Sequence, residues 1–118
     1  MCCYHRLLIL LFLLYLPAAA ADFPTAEEPI EPVHDYAGIL DGTAERALAD
    51  RQQKLQEEHG LPVTIVTVQS MAAYDAGATT FEEFTGQWFN AWNLGGESGE
   101  GALILLSLAD HRARMELG

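Results

Sequence analysis

The sequence predicts an α/β layered domain with helices packed on a small sheet. Three observations carry this expectation. Val63-Thr64-Ile65-Val66-Thr67-Val68, after Pro62, is β-branched throughout and reads as a strand. Ala102-Leu103-Ile104-Leu105-Leu106-Ser107-Leu108 has no polar alternation, as in a strand covered on both faces. Two helical stretches, each opened by a capping residue, precede these strands, so helix and strand alternate. The expected order is helix, strand, helix, strand, strand.

Taken in order, Met1 to Arg6 carries one basic residue, Leu7 to Leu16 is apolar, and Pro17 leads into Ala18-Ala19-Ala20-Ala21. A basic start, a short apolar run and a small-residue cleavage site together read as a secretory signal peptide, residues 1–21. The run is shorter than the roughly 20 residues that span a bilayer. Cleavage after Ala20 or Ala21 leaves Asp22 at or next to the mature N-terminus. The protein is therefore expected outside the cytoplasm: periplasmic, extracellular or membrane-tethered.

Both cysteines, Cys2 and Cys3, fall in the leader. The mature chain then has no disulfide, zinc–thiolate site or cysteine nucleophile, and core packing must hold it together. Without Arg6, five basic residues face 17 acidic ones. That balance argues against nucleic acid and anionic lipid as partners and favours divalent cations or basic partners. Solubility alone is the plainer explanation of the charge.

Residues 22–32, DFPTAEEPIEP, read as an acidic, proline-rich, mobile lead-in. Val33 to Leu40 reads as an ordered loop or short edge segment. Asp41 is a helix N-cap, Glu45 suits the first turn, and Gly60 stops the helix after His59. Its apolar stripe is narrow, with Leu48, Gln52 and Leu55 on one face, so it reads as a surface helix. Gln69 to Thr79 is a polar loop. Thr80 and Glu83 have capping-box spacing for a second helix running to about Trp92. Phe81, Phe84, Trp88 and Trp92 recur at three- or four-residue steps, and such a stripe reads as core before ligand surface.

Gly95-Gly96-Glu97-Ser98-Gly99-Glu100-Gly101 is a tight exposed loop. It follows a helix, opens a strand and lacks a lysine, which excludes a P-loop and a dinucleotide fingerprint. Ala109-Asp110-His111-Arg112 turns the chain into Arg112 to Leu117, an alternating, half-exposed strand and the second arm of a hairpin. The sequence ends at Gly118 directly after that strand, and further helices are expected to follow.

The carboxylates of Asp35, Glu97, Glu100 and Asp110 lie in loops, beside a glycine loop whose carbonyls are further oxygen donors. Ca²⁺ or Mg²⁺ is the cofactor this suggests, although the spacing matches no EF-hand loop. A solvated acidic loop is the alternative. Arg112 reads as a carboxylate partner, or else an anion ligand. His34, His59 and His111 sit in no zinc-hydrolase pattern, and no Ser-His-Asp set can be read off.

Val33 to Asp41, the helix end Glu58-His59-Gly60, the strand 63–68, Phe84 through Gly95, and Gly101 to Leu106 with Asp110-His111-Arg112 and Glu116-Leu117-Gly118 together resemble a TPM domain. This family, also called TPM phosphatases, includes YgcG-like exported proteins of bacteria and lumenal proteins of plant thylakoids. The resemblance covers residues 33–118. It implies an α/β/α sandwich with a small mixed sheet, cut short before the end of the domain. It also implies divalent-metal binding in some members, acid-phosphatase activity in a plant relative, and often a membrane anchor and glycine-rich tail beyond the domain. Asp35, Asp110 and Arg112 match family motif residues. Members usually carry Asp-Asn-Gly before the buried strand, where this chain has Gly99-Glu100-Gly101. The function expected from all this is a cation-binding envelope module that supports assembly or maintenance of an envelope protein partner. A metal-assisted phosphatase and a purely structural domain are the alternatives.

Overall fold

A computed structural model describes residues 22–118; the expected leader, 1–21, lies outside the described residues. The elements are β1 (Val33–Asp35), α1 (Gly42–His59), β2 (Val63–Val68), a 3₁₀ turn (Met71–Tyr74), α2 (Phe81–Ala91), β3 (Ala102–Ser107) and β4 (Arg112–Leu117). The strands form one mixed sheet in the order β1-β2-β3-β4. β1, β2 and β3 run parallel, and β4 returns antiparallel to β3. The α/β class and the small mixed sheet stand as expected. The segment read as a loop or edge piece is a true edge strand, in register with Ile65 to Thr67.

Local chemistry fixes the helix ends. Asp41 caps α1 by accepting the Ala44 amide at 2.7 Å, and Gly60 closes it in the left-handed conformation at φ 65°. Thr80 caps α2 by accepting the Glu83 amide at 3.1 Å. Glu83 reaches back one residue further than a capping box requires, to the amide and hydroxyl of Thr79.

The pleat sorts the strand residues into two faces. Thr64, Val66 and Val68 lie opposite Leu103, Leu105 and Ser107 in register, and all six are buried. Onto this inner face α2 packs Phe81, Phe84, Trp88 and Phe89, with Trp92 and Leu94 following. The aromatic stripe is core, as its spacing implied. The other face carries Ile65, Ile104, Leu106 and, on β4, Met115 and Leu117, and it is less covered. Ile104 and Leu106 are half-buried, and Met115 is 55% exposed. β3 is thus sealed on one face only. α1 contacts chiefly β1 and β2 and adds no residue to the core cluster. Its one buried residue is Gln52, whose Nε2 donates to the carbonyls of Pro32 and Val63, each at 2.7 Å. A glutamine thus ties the starts of β1 and β2 where a leucine would give only area.

The lead-in does not hang free. Phe23, Ala26 and Ile30 pack against the core cluster, and the Pro24 carbonyl accepts from Trp92 Nε1 at 2.8 Å. Its acidic, proline-rich composition hid one phenylalanine and one isoleucine that supply apolar area.

At Gly101 a Cβ would overlap the carbonyl oxygen of Leu94, whereas at Gly42 a Cβ meets nothing. Gly101→Ala is therefore expected to cost about 2–4 kcal/mol of unfolding free energy, because backbone must move. Gly42→Ala should be neutral or stabilising by up to about 1 kcal/mol. Urea unfolding midpoints of the two variants check both signs.

Candidate functional site at the carboxyl edge of the sheet

Because β1, β2 and β3 are parallel, their carboxyl ends share one edge, where open α/β sheets usually place ligands. Asp35 ends β1, Thr67 lies opposite it on β2, and Ser107 ends β3, three residues before Asp110.

Asp35 is held by its own loop. Its Oδ1 accepts from the Thr67 hydroxyl and from the Ile39 amide at 3.1 Å, and its Oδ2 accepts from the Leu40 amide at 2.8 Å. Thr67 Oγ1 in turn accepts from the Ala37 amide at 3.2 Å. One carboxylate thereby folds Tyr36–Leu40 back onto β2. Burial pushes the Asp35 carboxyl up, but the bonds from Thr67, Leu40, Ile39 and Gly38 outweigh it and hold it below its ordinary value.

Asp110 does comparable work in the β3–β4 turn. Its Oδ2 accepts from the Ser107 hydroxyl at 2.6 Å and from the Met71 amide at 2.8 Å, tying the turn to the 3₁₀ segment after β2. The Ser107 bond, then the Met71 bond, lower its pKa against some desolvation, with smaller help from the charges of Arg112 and His111. Arg112 makes no ion pair with Asp110. The ion pairs among the described residues are Arg114–Glu116 and a long, exposed His59–Glu58 contact. Arg112 acts on Asp110 only through its field.

Of the four carboxylates expected to share a cation, Asp35 and Asp110 follow the carboxyl ends of β1 and β3, and Glu97 and Glu100 precede β3. Asp35 and Thr67 lie on the outer face, in line with Ile65. Ser107, which holds Asp110, lies on the buried inner face, opposite Val68. Glu97 and Glu100 are exposed in the loop before β3, at the other end of a strand roughly 20 Å long. No group of three His, Cys, Asp or Glu residues that could hold a metal ion occurs among the described residues. Calcium takes six to eight oxygens, so this set is no ready-made cage. The glycine loop serves packing: Gly118 donates to the Gly101 carbonyl at 3.0 Å, joining the ends of the hairpin.

Sequence reasoning missed Thr67, Ser107 and Met71, the partners that occupy the two aspartates. Two hydroxyl residues near the ends of apolar strands were the available signal. His34 also has a structural place: its ring meets Trp92 edge-on at 4.7 Å, and Nε2 donates to the Glu31 carbonyl at 2.9 Å.

The lowered carboxyls set an acid limit on stability. Each contributes in full above its ordinary value of 3.8, and that contribution drains away as the pH falls toward the lower folded value. Asp35→Asn sets an amide NH₂ against a backbone donor and should cost about 1–3 kcal/mol at neutral pH. It should also flatten the loss of stability below about pH 4. Denaturation curves from pH 7 to pH 2.5 check this; an unchanged acid limb in both Asp35→Asn and Asp110→Asn contradicts it.

Comparison with known proteins follows the same outline. The family model described as the TPM domain matches residues 33–118, from the first residue of β1 to the end of the chain. Among solved structures, the chain is similar to the N-terminal domain of a protein from P. gingivalis, determined in solution by NMR. The two are 29% identical with a TM-score of 0.63, over 75% of this chain and 54% of that one. The chain thus spans about half the length of that domain. No curated protein matches. No described helix is long and apolar enough to cross a membrane. With a family match running through all four strands and both helices, the chain belongs to the TPM domain family.

Proposed function

We propose that this TPM domain is exported and works at the cell envelope as a non-catalytic module that binds another protein and supports its assembly or maintenance. The observation that carries the reading is how the carboxyl edge spends its polar groups. Asp35 and Asp110 take hydrogen bonds that stiffen the loops around them, and those loops present Tyr36, Ile39 and Leu108 to solvent, each more than 40% exposed. Rigid loops bearing aromatic and aliphatic side chains beside fixed negative charge suit a protein surface with apolar and basic groups. The acidic excess of the chain favours the same partner class. The leader, with its basic start, apolar run and alanine cleavage site, supports export.

A phosphatase needs a placed nucleophile or a metal-bound water. Here the hydroxyls nearest the carboxylates, on Thr67 and Ser107, are buried and donate to them. One observation favours a narrower cation role: Asp110 Oδ1 accepts no hydrogen bond among the described residues. A single carboxylate oxygen completed by water is a weak site.

Two measurements test these readings. A photo-crosslinking side chain placed at 39 or 108 in cells should give a discrete adduct that the same group at Arg51, on exposed α1, does not. Equal adducts from all three positions, or none, would end the binding reading. Calcium and magnesium titrations followed by amide shifts should move residues around Asp110 alone, without saturation at millimolar ion. Saturable shifts at Asp35 and Asp110 together would restore a shared cation site. Phosphate-ester turnover lost in Asp110→Asn would restore catalysis.

A further inference from the structure

We propose that β4 is a self-pairing edge: two copies of this chain join their β4 strands antiparallel, about a two-fold axis at Met115, into one continuous sheet. This edge is a different surface from the carboxyl edge of the sheet, so it stands apart from the binding reading above. Among the described residues, β4 has β3 on one side and no strand on the other. The ladder shows which of its backbone groups are free. The Gly118 amide donates to the Gly101 carbonyl, and the register carries that pairing back through Glu116, Arg114 and Arg112. In an antiparallel pair, alternate residues spend their amides and carbonyls on the neighbour. Ala113, Met115 and Leu117 therefore turn theirs outward. Arg112 to Leu117 contains no proline or glycine, and its register with β3 runs without a bulge, so none of these devices blocks a further strand.

Two constraints select the register. Outward-turned residues must meet outward-turned residues, so the two-fold axis passes through a residue and not between two. Charge then decides which residue. Arg112, Arg114 and Glu116 lie opposite Ser107, Leu105 and Leu103, on the inner face, and α2 leaves both arginines exposed. An axis at Arg112, Arg114 or Glu116 sets that side chain against its own copy, and an axis at Ala113 sets Arg112 against Arg114. Like charges directly opposite destabilise a sheet. An axis at Leu117 pairs no charges. An axis at Met115 sets Arg114 against Glu116 of the second copy, twice, and leaves Arg112 opposite Gly118. On the outer face it sets Met115 against its counterpart and Ala113 against Leu117, where Met115 is 55% and Leu117 62% exposed.

The test uses the full chain with Cys2 and Cys3 changed to serine, purified in mild detergent and exposed to a weak oxidant. Met115→Cys alone should give a disulfide dimer, because hydrogen-bonded antiparallel residues lie about 5.5 Å apart between Cα atoms, within disulfide reach. Ala113→Cys and Leu117→Cys should each stay monomeric alone, being roughly 14 Å from their own copies, and should cross-link when mixed. On the Met115→Cys background, Arg114→Glu and Glu116→Arg should each slow cross-linking at least about tenfold, because two attractive pairs become repulsive. Mixing those two variants should restore the rate to within about threefold of the unaltered background, although each has lost its own Arg114–Glu116 contact. The mixed 113 and 117 cysteines decide the matter if circular dichroism shows a charge variant unfolded. No dimer through 115, equal dimer through 113, 115 and 117 alone, or rates unmoved by the charge variants overturn the pairing. In cells, a photo-crosslinking side chain at 115 should give an adduct of twice the mass of the chain. An adduct of another mass alone gives the edge to a different protein and also overturns it.

Discussion

The structure depends on the packing of one helix face, the aromatic side of α2, against the inner face of β2 and β3. Phe84, Trp88, Val66, Leu103 and Leu105 are fully buried there. Each large side chain taken from water contributes about 1.5–3 kcal/mol, and no cross-link in the described chain shares the load. α1 offers little relief, since it buries a single glutamine. Fit has been favoured over polar satisfaction on both helices. Trp88 Nε1, Gln87 Oε1 and Gln52 Oε1 are buried with no hydrogen-bond partner among the described residues. A lost partner costs on the order of 1–3 kcal/mol, so the surrounding apolar contact must exceed it.

That thin core explains the lead-in. A two-helix, four-stranded domain has too few internal residues to waste an aromatic ring. Phe23 and Tyr74 extend the α2 cluster past its N-terminal half, and His34 and Trp92 extend it toward β1. The segment from Asp22 to Pro32 is therefore structural, although its composition is that of a linker.

Much of this was legible in the sequence where a single residue type forces a local outcome. Asp41, Gly60 and Thr80 fixed helix ends because capping depends on a side chain or a left-handed backbone at one position. The β2 and β3 spans, their parallel pairing and the β3–β4 hairpin also followed from pattern and spacing. What could not be read depended on parity and distance. Whether Asp35 and Asp110 share a face turns on whether Thr67 and Ser107 fall on odd or even pleat positions relative to each other, which only the register settles. Glu97 and Glu100 looked adjacent to the other acids because sequence order ignores the length of β3. β1 reads from the sequence as either a loop or a short edge segment, because three residues are too few to show a period and the strand depends on pairing with β2.

Perturbed carboxylates at strand ends invite a catalytic reading, since functional sites often combine both features. Here the same features have a structural cause. A carboxylate ringed by amide and hydroxyl donors already has the positive field that a cation would supply, so a metal there would have to displace bonds that shape the loop. Asp35 is the clearest case, with three donors placed on two oxygens by the turn that it creates. Its low pKa therefore records how firmly Tyr36–Leu40 is held. On the binding reading proposed above, that rigidity would let the exposed side chains of the loop meet a partner without first being ordered.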